Sequence, residues 1–367
     1  MQILRKSNWE GFEKTRKMKR IDIINIVKKS GLKGRSGSNF LTGLKWELME
    51  KGIGYLICNA DEGEPGTFKD KFIMENNPSL LIEGIAIASY AMDLHSAIIY
   101  LRGEYSYLKP KLEKLIKQSE KYLKKIKLKI KIVLGAGSYL CGEETAILES
   151  IEGNRPLVRK KPPYPSQSGL YGKPTCINNV ETLANIPLII LGDWDNNLQL
   201  FSLSGDLKEP GIYEIGFGMP LKHIVSLGKP KNEPKAIYFG GSGGCIPYKK
   251  FKNIQVNEKT ISEKGAFLGA RGLIIVGKDR DIVDISRTLS EFFVHESCGY
   301  CTPCREGNFR VVELLEKIEA RKAKKEDIKL LEQLADHISD TSYCALGVAS
   351  TTHLKCALKY FKKEFKI

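Results

Sequence analysis

The chain has 367 residues, of which 42% are hydrophobic and 28% charged, and its formal net charge is +15. That length suits two or three domains, and the most apolar stretch, Leu80–Met92, is interrupted by Glu83 and Gly84 and falls far short of the roughly 20 residues of a membrane span. The N-terminal run MQILRKSNWEGFEKTRKMKR has charge but no apolar segment behind it, so no signal peptide is visible; a cytoplasmic protein is expected, membrane-associated only through a larger complex.

The positive charge raises nucleic acid as a partner. The lysines are scattered, however, and the densest run, Lys109–Lys131, reads as two exposed faces. No basic groove interleaved with aromatics is evident, so nucleic-acid binding is not expected. Nine cysteines in such a chain do not suggest a disulfide framework. Cys58, Cys141, Cys176 and Cys245 stand alone in apolar or glycine-rich surroundings and read, with Cys356, as small core residues.

Residues 21–30 have helical spacing and end at Gly31, a C-cap residue. The loop GLKGRSGSNFLTGLKW (Gly31–Trp46) follows, dense in glycine as if to approach a phosphate. It is not a P-loop, since Gly37 and Gly43 are too far apart and Leu44 precedes Lys45, and it lacks the dinucleotide fingerprint. Gly54–Asn59 is a buried-strand run that delivers the acidic turn DEGEPGT. Pro78–Met92 reads as a helix and Ala97–Leu101 as a core strand. In KKIKLKIKIVLG, Lys125, Lys127, Lys129 and Lys131 alternate with Ile126, Leu128, Ile130 and Ile132, the period of a half-buried strand with lysines guarding an edge. GAGSYLCGEET leads to a short helical pattern, TAILESIEG, and a Pro/Gly/Ser-rich loop between Pro156 and Pro174 ends in INNVETL. Alternating strands and helices predict an α/β sheet. After about Leu200 short β runs and one helix suggest a small α+β module, and from about Asp281 the spacing is helical to the end. The expected division is therefore 1–200, 201–280 and 281–367.

The sharpest signal is ESCGYCTPCREG, which sets Cys298, Cys301 and Cys304 at C-x2-C-x2-C spacing, with Cys344 following in SYCALG. Three close thiolates can take three corners of a cubane and a remote one the fourth. Structural zinc is the alternative, although it usually draws on two separated pairs. Thr302-Pro303 reads as an N-cap and first helical residue, which sets Cys304 in the first turn of a helix whose positive end faces the thiolates. Arg305 adds charge compensation. A cluster alone leaves the glycine-rich loop, the acidic turn and GEET unexplained; together they point to a bound redox cofactor that feeds it.

With the loop, DEGEPGT, CGEET, INNVETL and ESCGYCTPCR in this order, the chain resembles the family of NADH-binding flavoprotein (51-kDa, or F) subunits of respiratory complex I. That family includes the β subunits of NAD-linked hydrogenases and formate dehydrogenases. The resemblance covers essentially the whole chain. It implies a Rossmann-like FMN/NAD domain, an SLBB-type ubiquitin-like module and a helical bundle carrying a 4Fe–4S cluster on Cys298, Cys301, Cys304 and Cys344. It also implies a thioredoxin-like 2Fe–2S subunit and a larger iron–sulfur subunit as partners. The implied reaction is NADH dehydrogenation, with hydride passing to FMN and single electrons to the cluster. A flavin-less iron–sulfur scaffold is the alternative of another class.

The resemblance assigns Gly34, Arg35, Gly37, Thr42 and Gly43 to the wrapping of FMN and NADH, Lys45 to the FMN phosphate, and Phe40 to the adenine. Asn59, Asp61 and Glu62 would bond the flavin, and Glu64 would meet the ribose or nicotinamide side. Gly142 and Glu143 would contact FMN, while Glu144 would sit beside the nicotinamide. Lys161 would approach the NADH phosphates, Tyr164 would stack on adenine, and Asn178, Asn179 and Thr182 would finish the FMN phosphate end. The residues by themselves also allow milder roles: Phe40 as a core plug, Lys45 as a solvated helix residue, DEGEPGT as a hydrophilic surface turn, and the GEET acids as stabilisers of a helix N-terminus. The family's usual loop is GRGGAGFPTGLKW; here Ser36, Ser38, Asn39 and Leu41 replace Gly, Ala, Gly and Pro, and Leu48 stands where a second aromatic is usual. Asn39 tolerates a left-handed backbone, whereas Ser36 adds bulk.

Overall fold

Four apolar runs in the first half of the chain pair as one parallel sheet: β1 (Tyr55–Ala60), β2 (Ser96–Leu101), β3 (Lys129–Leu134) and β4 (Thr175–Asn179), in the spatial order β3-β2-β1-β4. The structure is a computed structural model describing residues 1–37, 39–50 and 54–365, so Ser38 of the glycine-rich loop lies outside the described residues. Ahead of β1 lie α1 (Glu10–Thr15), α2 (Arg20–Ser30) and α3 (Thr42–Glu47). The β1–β2 crossover holds α4 (Lys69–Asn76) and α5 (Pro78–Ala91), and the β2–β3 crossover holds α6 (Lys109–Gln118) and α7 (Glu120–Leu123). Helix α8 (Ala146–Ile151) precedes β4, and α9 (Val180–Leu191) follows it.

Local signals set most of these boundaries. Helix α2 stops at Gly31, which takes a φ of 73°, and α5 begins on Pro78. Asn179 caps α9 by accepting from Glu181 N at 2.9 Å. Strand β2 is almost wholly buried, whereas β3, at the sheet edge, exposes Lys129 and Lys131 and half-buries Ile130 and Ile132. One expectation fails here: the lysine alternation is strand only from Lys129. Lys124–Ile126 is a turn of 3-10 helix and Lys127 has a φ of 55°, because Leu123, Ile126 and Leu128 turn inward to the core from a tight bend.

The first compact unit comprises residues 1–63 and 68–196; Glu64–Thr67 and the chain from Asn197 onward make up the second. The second unit contains a mixed sheet of β5 (Leu198–Gly205), β6 (Gly211–Gly216), β7 (Pro234–Phe239), β8 (Cys245–Pro247) and β9 (Gly272–Gly277), in the order β6-β5-β9-β7-β8. Short helices α10 (Leu221–Leu227), α11 (Tyr248–Phe251) and α12 (Glu258–Ser262) punctuate it. Then follow α13 (Ile282–Glu296), α14 (Thr302–Glu319), α15 (Lys325–Thr341), α16 (Ala345–Ala349) and α17 (Thr352–Phe361). Phe201, Ile237 and Ile275 of the sheet share one core with Phe293, Leu315, Ile338 and Leu354 of the helices.

Asp281 caps α13 by accepting from Val283 N at 2.7 Å. At α14 the N-cap residue is Cys301, so Thr302 and Pro303 both lie inside the helix, one residue earlier than expected; Cys304 remains in its first turn. The five solitary cysteines are all buried. No helix among the described residues is long and apolar enough to cross a membrane.

Candidate active site

In an open parallel sheet, ligand-binding loops gather beyond the carboxyl ends of the strands. Strand β1 runs out through Asn59 into Asp61 and Glu62, β3 into the Gly142–Glu144 turn, and β4 into Asn178 and Asn179. The register sets Asn59 beside Asn179. Asn59 Nδ2 donates to Gly142 O at 2.7 Å and its Oδ1 accepts from Asp61 N at 3.1 Å, which ties the β1 and β3 turns together. Trp46 Nε1 donates to Asn178 Oδ1 at 2.9 Å.

The glycine-rich loop closes on itself through Gly34 N to Phe40 O (2.8 Å) and Thr42 N to Leu32 O (2.9 Å). Gly37 at a φ of 104° needs glycine, and Asn39 at 52° takes the left-handed conformation its side chain tolerates. Ser36 is exposed. Arg35 N donates to Thr182 Oγ1 at 3.0 Å, which seats the loop on the first turn of α9. Phe40 is 45% exposed and therefore no core plug; Tyr164 is 54% exposed. Gly43 serves a different purpose, since a Cβ there would come within 2.4 Å of Lys28 N where α3 crosses α2.

Lys45, Glu143, Glu144 and Lys161 form a charged quartet. Glu144 takes Lys161 Nζ on one oxygen at 2.5 Å and Lys45 Nζ on the other at 3.3 Å, and Lys161 also reaches Glu143 at 3.3 Å. Burial pushes the Glu144 carboxyl up, but the two ammonium groups outweigh it and hold the carboxyl below its usual range. For Lys161, burial is likewise outweighed by Glu144 and Glu143, and the ammonium form is strengthened. Lys45 is therefore not a freely solvated residue. The second oxygen of Glu143 accepts from Thr145 N at 2.7 Å and Ala146 N at 2.9 Å, so this residue also stabilises the start of α8.

Beneath the loop lies a buried ionic network that the sequence did not disclose. Lys69 Nζ sits 2.7 Å from Asp70 and 3.2 Å from Glu181, all three side chains being nearly inaccessible. Asn179 Nδ2 donates to Asp70 Oδ2 at 2.6 Å, and Arg35 Nε lies 3.8 Å from Glu181. Glu62 accepts from Asp70 N and Lys71 N, each at 3.0 Å, and its carbonyl accepts from Arg102. Burial first, then the nearby Asp70 charge, pushes the Glu62 carboxyl up to about 7. The acidic turn is thus no hydrophilic surface loop at this position. Lys69 and Asp70 follow that turn after Phe68, but nothing in their spacing signals burial.

Glu64 belongs to the second unit, where its Oε1 accepts from Gly241 N and Ser242 N at 2.8 Å and from Ser242 Oγ at 2.9 Å. The same unit holds the cysteine cluster. Cys304 feels the charges of Cys298, Cys301 and Cys344; burial above all, then these neighbours, pushes its thiol up to about 11. Asn308 Nδ2 donates to Cys304 Sγ at 3.5 Å, and backbone N–H groups of Gly347 and Leu346 point at Cys344. Among the described residues, no three His, Cys, Asp or Glu side chains close on a single-ion site. A cubane instead holds its four thiolates at separate corners. Four neighbouring thiols, with N–H donors and the first turn of an 18-residue helix among them, would as thiolates be a donor set suited to a cationic iron core.

A flavin phosphate also finds suitable groups. Two partly exposed lysines stand at the carboxyl end of the sheet, and the buried Thr42 hydroxyl has no hydrogen-bond partner among the described residues. Residues 27–188 match the family model described as the Nuo51 FMN-binding domain, and residues 284–367 match the NADH-ubiquinone oxidoreductase-F iron-sulfur binding region. The chain is 40% identical over 370 residues to an F-type NADH-quinone oxidoreductase subunit of Rhizobium meliloti, covering 94% of this chain and 88% of that one. It is 39% identical over 372 residues to the F-type subunit of Escherichia coli, covering 94% and 84%. An NAD+-reducing NiFe-hydrogenase in the H2-reduced state superposes with a TM-score of 0.92 at 33% identity. That likeness covers 98% of this chain but 65% of the hydrogenase chain, just under two thirds of it. The chain belongs to the family of F-type NADH-quinone oxidoreductase subunits. It is an NADH-oxidising flavoprotein with FMN and a 4Fe–4S cluster as its cofactors.

Proposed function

We propose that this chain is the electron-entry subunit of an NADH-quinone oxidoreductase assembly. The observation that carries the reading is the Lys45–Glu144–Lys161 bridge at the carboxyl end of a parallel sheet, in a chain whose Cys304 also has Cys298, Cys301 and Cys344 as neighbours. FMN held at the glycine-rich loop and Lys45 would supply hydride acceptance from NADH, and a 4Fe–4S cluster held by Cys298, Cys301, Cys304 and Cys344 would supply one-electron transfer.

The residues of the chain bind and orient. Lys45 and Lys161 offer positive charge to phosphates, and Glu144 fixes where both ammonium groups stand. Gly34, Arg35, Gly37, Thr42 and Gly43 shape the loop, with Asn178, Asn179 and Thr182 under it. Phe40 and Tyr164 present open ring faces of the kind a purine stacks on. Asn59, Asp61, Glu62, Gly142 and Glu143 line the turns where hydroxyl-rich parts of a flavin nucleotide would lie, and Glu64 is assigned to the nicotinamide side. Cys298, Cys301, Cys304 and Cys344 would ligate the cluster. The functional division is 1–200, 201–280 and 281–367. A thioredoxin-like 2Fe–2S subunit and a larger iron–sulfur subunit are the partners, and membrane association comes through the assembly.

The second reading is the β subunit of an NAD-linked hydrogenase or formate dehydrogenase, which the likeness to the NAD+-reducing hydrogenase favours. Anaerobic purification followed by a spectrum with NADH added tests the shared chemistry. Flavin absorbance bleached by NADH is expected; an iron–sulfur spectrum without flavin or NADH response would leave only the scaffold. Co-purification of quinone-reductase or hydrogenase subunits separates the first two.

A further inference from the structure

The segment Lys109–Lys131 carries ten lysines against only Glu113 and Glu120, a net charge of +8 and more than half of the +15 of the whole chain. It runs through α6 and α7 into β3, and every lysine in it except Lys109 is exposed. Four have partners: Lys109 with Glu113, Lys124 with Glu120, Lys125 with Glu13, and Lys111 with the carbonyl of Glu75. Lys114, Lys117, Lys121, Lys127, Lys129 and Lys131 have no ion-pair partner among the described residues. Among the described residues β3 pairs with β2 alone, so its other edge has no strand partner. Lys129 and Lys131, two residues apart, stand on one face roughly 7 Å from each other.

We propose that the β3 edge and the lysines beside it are the docking surface for an acidic, extended segment of another polypeptide. An open strand edge presents backbone N–H and C=O groups that only another polypeptide strand can pair in register. The lysines then select for sign: glutamates or aspartates at alternate positions of an added strand would meet Lys129 and Lys131. A second copy of this chain is disfavoured, because edge-to-edge pairing would set the same lysines against each other. Guarding an edge takes one or two lysines. Six lysines of this segment carry no ion-pair partner among the described residues, neighbouring ones repel within about 8 Å of screening length at physiological salt, and a bound acidic strand relieves that repulsion. Nucleic acid or an anionic membrane would neutralise the charge but leave the β3 edge unpaired.

The test titrates the full-length holoprotein with a fluorescently labelled peptide of alternating glutamate and valine, read by anisotropy at low and raised salt. Saturable one-to-one binding that weakens with salt is expected. Lys129→Glu/Lys131→Glu should weaken it about tenfold or more, with NADH–ferricyanide activity unchanged. Should that variant not fold, Lys129→Ser/Lys131→Ser carries the same comparison. A peptide of the same sequence, N-methylated at alternate amides, keeps its charge but cannot pair and should bind about tenfold more weakly. The proposal is overturned if the plain peptide does not bind, if the lysine variant binds it as the wild type does, or if N-methylation changes nothing. Equal competition by phosphatidylglycerol vesicles or oligothymidylate also overturns it, since the surface would then read charge alone.

Discussion

Glu144 and Lys161 meet at 2.5 Å, and the other oxygen of the same carboxylate reaches Lys45 at 3.3 Å. One acid thus sets the position of two cations that come from distant parts of the chain. Replacing it with glutamine keeps the shape but releases both lysines. Glu144→Gln is expected to slow NADH turnover on the order of tenfold, roughly 1.4 kcal/mol in the barrier, while bound flavin stays nearly unchanged. Steady-state NADH–ferricyanide rates and flavin content measure the two effects, and unaltered turnover would remove Glu144 from the site.

The buried Lys69 ammonium lies between Asp70 and Glu181. Burial pulls its pKa down, but Asp70, Glu181 and Glu62 outweigh that and keep it charged. Lys69→Met would leave Asp70 without its ammonium partner and Glu181 with Arg35 at 3.8 Å, a loss of about 3–5 kcal/mol of stability. Urea denaturation of the purified variant measures it; a midpoint equal to that of the wild type would mean that the network relaxes without cost.

Glu62 titrates against the usual direction for a surface acid. Its folded-state value near 7 lies above the ordinary 4.5, so the folded chain holds the proton more tightly than the unfolded one. Stability from this group is therefore greatest below pH 4.5 and is lost as the pH rises through about 7. Glu62→Gln should flatten that slope, since the amide does not titrate and accepts from one of the Asp70 and Lys71 N–H groups instead of both. Parallel stability profiles for the two proteins would contradict the assignment.

Cys344 comes from a different helix start than the other three cysteines, at the beginning of α16. Cys344→Ser is expected to abolish or deplete the iron–sulfur absorbance and iron content while NADH still bleaches the flavin. Undiminished iron in the variant would exclude Cys344 as a ligand.

Much of the fold was legible because its signals are local. The stop at Gly31, Pro78 opening α5, Asn179 capping α9 and Asp281 capping α13 all act within a few residues of the position they mark. The lysine alternation before β3 misled because a strand and a tight bend both turn alternate apolar residues inward over so short a run. Thr302 misled for a similar reason: the helix starts one residue sooner than its hydroxyl suggests.

The cofactor residues were named from motifs, and those motifs could not say what each side chain touches. By itself, the sequence determined the element types, the C-x2-C-x2-C triplet around one helix start and the resemblance that assigned FMN and NADH. These rest on periodicity, backbone preference and spacing, which are properties of neighbouring residues. Only the tertiary structure decided that Glu144 bridges Lys45 and Lys161, and that Lys69, Asp70, Glu181 and Arg35 are buried together. Coulomb energy and desolvation depend on distance and burial, and both are set only when residues remote in sequence are packed against each other.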